Sequence, residues 1–294
     1  MTDTPPILQP DVIVGVSVSE PAPEELVTLG LSDLHVRHAF IEIVRHVLAL
    51  GGSIAYGGDL RVAGYTEALF DLVRAYNPRD LTGPDRVYSF LAWPLWTELT
   101  PAQRADLANV TTIVEVPAPD GAPSELPPIG ERSPADMLWM SRSLTKMRQQ
   151  MGRAIGARVV LGGRVAGQQG LLPGVVEEAL LAIDIRCPLY VIGGFGGCGR
   201  VLASALHGGS PVELTLEYQR ERTARYDELY RLAESVDAAP SFDEARRMLR
   251  EAGLDKLSNG LDPAENERLM LTDDVDDLVS LILRGLRNLT GGPS

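Results

Sequence analysis

The chain alternates between short, almost wholly apolar runs and longer stretches in which apolar residues recur every three or four positions. The short runs lie at 11–19 (DVIVGVSVS), 53–56, 86–91 (RVYSFL), 111–116, 158–161 and 188–192. Continuous apolar runs of this length fit strands that are covered on both faces. Between them, Ser32-Asp33 opens a stretch with Ala39, Ile43, Val47 and Leu50 at helical spacing. Gly64-Tyr65-Thr66-Glu67 starts a second helix, 102–109 forms a short one, and about 134–155 forms a long one. Strands that alternate with helices predict parallel βαβ units, and so an α/β, Rossmann-like parallel sheet flanked by helices.

Glycine clusters recur where these strands end. The most informative stretch is 157–200. There one apolar run ends in Gly162-Gly163, Pro173-Gly174 opens a helix carrying Glu177 and Glu178, and a second run ends in the cluster 193–199. A similar junction follows 53–56, with Gly57-Gly58-Asp59 and then Arg61. In open parallel sheets, ligands bind beyond the carboxyl ends of the strands, where backbone amides and helix N-termini can hold an anion. The expected ligand-binding set is therefore Ser17 and Ser19 at the first strand end and Gly57, Gly58, Asp59 and Arg61 at the second. Gly162, Gly163 and Arg164, with Gly193, Gly194, Phe195 and Gly196, complete it. On the long helix, Arg142, Thr145 or Lys146, and Gln149 share one face at helical spacing, while Arg148 projects to the side. Such a row, aimed at the glycine loops, would supply cationic donors for phosphate.

Other features narrow the picture. The net charge of -13 over 294 residues argues against a nucleic-acid partner, because phosphate neutralisation needs a basic face. Cys187 and Cys198 read as small buried thiols, and His35 and His38, one turn apart, as a solvated helix face; neither pair predicts a metal site, and no cofactor is expected. Trp93 and Trp96 around Pro94 fit core anchors better than a base-stacking slot. The stretch 117–133, rich in Pro, Gly and Ser, reads as a long surface loop able to act as a lid. No run is long enough to span a membrane, and the first ten residues lack a signal pattern, so a cytoplasmic protein is expected. Beyond residue 212 the pattern is charged and helical throughout. The expected organisation is a nucleotide-binding domain over 1–212 and an α-helical extension over 213–294, serving a homo-oligomer or an effector partner.

These features resemble the SLOG superfamily. It includes nucleoside-monophosphate phosphoribohydrolases of the LOG type, Smf-type DNA-processing proteins and nucleotide-sensing domains. Val14-Gly15-Val16-Ser17 resembles the family's first strand end, Tyr56-Gly57-Gly58 its second, and 142–148 its arginine helix. Leu161-Gly162-Gly163 with Gly170, Pro173-Gly174 and Glu177-Glu178 resembles its glycine loop and glutamate. The chain departs from the pattern in having Leu161 where the family has proline, in lacking the Gly-Thr step, and in the long spacing before Pro173. Arg142 and Arg148 compete for the family's arginine role.

The resemblance implies one of two activities. The first is a signal sensor that binds a ligand of the ADP-ribose, cyclic ADP-ribose or NAD type, as in bacterial antiphage systems. The second is a hydrolase of nucleotide N-glycosidic bonds, in which Glu178 would be the catalytic carboxylate, Glu177 its neighbour and Arg142 the positioning group. A scaffold without ligand is the third class, and the open glycine junctions count against it.

Overall fold

A computed structural model describes residues 12–58, 64–75, 86–289 and 291. Its strands are β1 (Ile13–Ser19), β2 (Ser53–Tyr56), β3 (Val87–Ala92), β4 (Thr112–Val116), β5 (Ala157–Gly162) and β6 (Leu189–Ile192). They form one six-stranded sheet in the order β4-β3-β2-β1-β5-β6, and every neighbouring pair is parallel. The predicted Rossmann-like α/β architecture is thus the observed one, and each apolar run of the sequence is a strand.

Among the described residues, three α-helices precede β3: α1 (Pro23–Thr28), α2 (Asp33–Ala49) and α3 (Tyr65–Ala75). Next come α4 (Pro101–Leu107), α5 (Pro134–Ala154), α6 (Gly174–Asp184) and α7 (Gly197–Leu206). Helix α1 has no counterpart in the sequence reading, because its six residues are too few to show a period. Helix α7 starts at Gly197, inside the last glycine cluster.

Strand β1 shows how the layers are set. Val14, Val16 and Val18 enter the core shared with α2 and α3. Strand alternation sends Gly15, Ser17 and Ser19 to the other face, beneath α5 and α6. That face is lined with small residues because α5 lies almost on the backbone. A Cβ on Gly15 would stand 2.6 Å from Ile155 Cδ1, and one on Gly57 would stand 2.7 Å from Met147 Sδ. The long helix is capped, the Ser133 side chain accepting from Asp136 N, with Pro134 in the first turn.

The helices after residue 212 are α8 (Leu216–Arg222), α9 (Tyr226–Ser235), α10 (Phe242–Ala252), α11 (Pro263–Leu271) and α12 (Val275–Leu289). They wrap the sheet. Leu278, Ile282 and Leu286 of α12 belong to the same core as Val14 and Phe40, and Leu249 of α10 packs with Val191 and Val201. Edge strand β6 is covered by the chain before α11: Leu189 N donates to Leu257 O (2.9 Å) and Asn259 Nδ2 to Leu189 O (2.8 Å). Covering an edge in this way removes a template for intermolecular pairing. Among the described residues, no helix is long and apolar enough to cross a membrane.

Strand order also fixes where a ligand can sit. From β1 the chain moves towards β2, and from β5 towards β6, so a crevice opens between the carboxyl ends of these two adjacent strands. Ser19 pairs in register with Gly162 at that point.

Backbone packing behind the crevice is tight. Gly197 has φ +59°, and a Cβ there would collide with the carbonyl oxygen of Gly163, which already accepts from Cys198 N (2.9 Å). Gly197→Ala is expected to cost more than about 1 kcal/mol in chemical denaturation. An unchanged unfolding midpoint would contradict this account of the β5–α7 contact.

Candidate functional site

Arg158, the second residue of β5, is fully buried on the face that β1 lines with Ser17. Its Nη1 donates to Ser17 Oγ (2.7 Å) and to Glu178 Oε2 (2.5 Å), and Ser17 Oγ donates to the same carboxylate oxygen. Glu178 reaches this point from the second turn of α6. Arg148, descending from α5, places its Nε 3.4 Å from Glu178 Oε1 and donates from Nη1 to Glu177 Oε2. Thr145 Oγ1 donates to the other Glu177 oxygen (2.5 Å). Two guanidinium groups and two carboxylates thus form one buried, charge-balanced cluster bridging β5, α5 and α6. Burial alone would push the Arg148 pKa down, but the charges of Glu177 and Glu178 outweigh it and hold the pKa above its ordinary value.

The chain is shaped around Arg148. A Cβ on Gly174 would lie 2.6 Å from its Nη2, so the residue that opens α6 leaves room for the guanidinium.

The cluster forms one end of a cavity of about 600 Å³ at the β1/β5 crevice. Ser17, Glu178 and Arg148 line that end. Its apolar lining comes from Ala92, Leu95, Leu99, Met140, Leu144 and Met147. Its polar lining includes Arg164, Gly167, Gln168 and Gln169 of the loop after β5, Glu98, and Arg132 from the chain before α5. Gly174 and Val175, whose amides open α6, also line the cavity, and no side chain caps that helix.

The loop after β5 is bolted to the C-terminal helices. Gly167 N donates to Thr223 Oγ1 (2.8 Å), Gln168 Nε2 to Gln219 Oε1 (2.8 Å), and Gln219 Nε2 to Val165 O (2.8 Å). Tyr226 Oη donates to Leu171 O (2.5 Å). Gln219 is fully buried between these contacts. Helices that read as an extension in sequence therefore shape the rim of the cavity.

Several expected site residues sit elsewhere. Gly193 and Gly194 do not line the cavity: a Cβ at either would strike the backbone of Met270 or Thr272, so these glycines admit the end of α11. Phe195 is fully buried in the core, and Gly196 faces the Glu25 carboxylate. Gly162 (φ +58°) and Gly163 (φ +104°) turn the chain at the end of β5. The amide of Gly163 is taken by Ser19 O (2.8 Å) and that of Arg164 by Ser19 Oγ (3.0 Å), so this turn ties β5 to β1. Arg142 stacks over Trp139, 5.2 Å from the ring centroid, and Gln149 is exposed. Between the two competing arginines, Arg148 is the one at the cavity. Glu177 turns to Arg148 and Thr145, leaving Glu178 as the glutamate of the pair on the cavity wall. Ser17, Ser19, Gly57, Gly58, Arg148, Arg164 and Glu178 are brought together there. Asp59 and Arg61 lie outside the described residues.

The other candidates find structural partners. His35 Nδ1 accepts from Ser32 N (3.0 Å) at the start of α2, and His38 lies 3.9 Å from Glu42. Among the described residues no group of three or more His, Cys, Asp or Glu side chains is placed to hold a metal. Trp93 is buried, and Trp96 Nε1 donates to Val116 O (2.8 Å). Burial pushes the thiol pKa of both Cys187 and Cys198 up, so neither is a ready nucleophile.

Sequence reasoning missed Arg158 and Arg132. For Arg158 a signal existed: a charge inside an otherwise apolar strand requires a buried counter-charge. For Arg132, in an irregular stretch, the sequence carries no periodic signal.

A family model described as SLOG cluster2 matches residues 8–269, which takes in the whole sheet and the helices as far as α11. This family implies nucleotide-related ligand binding or LOG-like activity. No curated protein matches the chain.

Removing one member of the buried cluster leaves a charge without a partner. Glu178→Gln is expected to lose about 3–5 kcal/mol of unfolding free energy. Adding Arg158→Met should recover part of that loss, because the orphaned cation is then gone. Strictly additive losses in the double variant, measured by urea denaturation, would contradict the coupling.

Proposed function

Because the chain belongs to the SLOG cluster2 family, we propose that it binds a nucleotide-derived ligand of the ADP-ribose, cyclic ADP-ribose or NAD type and acts as a signal sensor. The observation that carries this reading is the cavity at the β1/β5 crevice, which combines apolar and polar lining. Its leucines and methionines suit a base. Its arginine and glutamine side chains suit phosphate and sugar. A volume of about 600 Å³ suits a nucleotide-sized ligand.

The sensor reading is favoured by the state of Glu178. One of its oxygens is held by both Ser17 and Arg158, and the other faces Arg148. A carboxylate so restrained holds a ligand's hydroxyl groups better than it shuttles protons. The bolts from the loop after β5 to α8 and α9 give a route by which occupancy reaches the outer surface, where a second copy or an effector would read it in antiphage or stress signalling.

A second reading is hydrolysis of a nucleotide N-glycosidic bond. It is supported by the same Glu178, because a fixed carboxylate on the cavity wall can stabilise an oxocarbenium-like transition state.

Incubation with NAD, ADP-ribose, its cyclic isomers and AMP, followed by thermal shift and chromatography on the same samples, separates the two. The sensor reading expects stabilisation of about 2.7 kcal/mol at a ligand concentration a hundredfold above Kd, with the ligand recovered intact. Release of free base, lost in a folded Glu178→Gln variant, would establish the hydrolase instead.

A further inference from the structure

Three arginines are buried among the described residues, and two of them face carboxylates. Arg148 faces Glu177 and Glu178, and Arg158 faces Glu178. Arg132 differs. It is 7 % exposed and lines the cavity, yet no carboxylate lies within ion-pair distance of it among the described residues. Its Nε donates to Pro127 O (3.0 Å) and its Nη1 to Gln169 Oε1 (2.9 Å), both neutral acceptors. Its own carbonyl accepts from Arg225 Nη1 (2.6 Å), which fixes the backbone that carries it.

A buried cation without a counter-charge is unfavourable, and burial lowers the Arg132 pKa from its ordinary value despite the more distant carboxylates of Glu98 and Asp136. Its position on a cavity wall makes a bound anion the missing partner. The Arg148–Glu178 cluster is unsuited to that role. Arg148 is already neutralised there, and the Glu178 carboxylate would repel a phosphate. Arg164, exposed and without an ion pair among the described residues, stands on the same loop as Gln169.

We propose that the ligand's phosphate is received by Arg132, with Arg164 beside it at the rim, and not by the arginines of α5. The sugar hydroxyls then face Ser17 and Glu178, and the base lies along the apolar lining. This inference rests on the nucleotide-binding reading. It assigns a specificity role to a residue outside the strand ends and the arginine helix.

The test is calorimetric titration of the full chain with AMP and with adenosine, which differ only in the phosphate. Wild type is expected to bind AMP about tenfold more tightly than adenosine, an advantage equivalent to about 1.4 kcal/mol. Arg132→Met should reduce that advantage to within about twofold, Arg132→Lys should keep most of it, and Arg142→Ala should leave it unchanged. Should the methionine variant not fold, Arg132→Gln reads the same ratio while keeping a polar head for the neutral contacts. Retention of the full advantage without the Arg132 charge would overturn the inference alone, as would equal binding of AMP and adenosine by wild type. Wild type that binds neither AMP, adenosine nor ADP-ribose would overturn the nucleotide reading beneath it.

Discussion

An arginine buried within a parallel sheet must meet a counter-charge, and in this protein that requirement joins the sheet to its helices. Arg158 of β5 is compensated by Glu178 of α6, which also accepts from Ser17 of β1 and faces Arg148 of α5. Four elements are pinned by one cluster. Two positive and two negative groups close the balance, so the cluster holds the β1/β5 crevice open at its base without attracting further charge. The small residues Gly15 and Gly57 let α5 come near enough for Arg148 to take part.

Arg132 and Arg164, neither in an ion pair among the described residues, line the same cavity on segments held by Arg225, Gln219, Thr223 and Tyr226 of the C-terminal part. The helices after residue 212 therefore do more than follow the sheet. They cover its β6 edge, complete its core through α12, and fix the geometry of the loop that any ligand would touch. The loop after β5 and the outer helices are linked through a few buried polar contacts, among which the fully buried Gln219 is central.

Much of this fold is legible in the sequence because the strands are covered on both faces and stand out as unbroken apolar runs. The strand ends follow from local chemistry, and Glu178 is singled out by the family resemblance. Glycine clusters at strand ends suggest openings for a ligand, yet Gly193 and Gly194 admit the backbone of Met270 and Thr272, and Gly163 admits α7. A glycine marks a close approach without saying what approaches. Helical spacing places Arg142 on the expected functional face, whereas Arg148, projecting to the side, is the one that meets Glu177 and Glu178. Arg132 depends on an irregular segment whose path is set by long-range contacts, and no local pattern encodes it.

In the proposed reading the crevice between β1 and β5 is a nucleotide site whose polar lining comes from the loop after β5 and from Arg132. A crystal structure of the chain grown with ADP-ribose tests it most directly. The account predicts density filling the cavity, with a phosphate against Arg132 and a ribose hydroxyl within hydrogen-bond distance of Glu178. Density confined to another surface, or an empty cavity at saturating ligand, would contradict it.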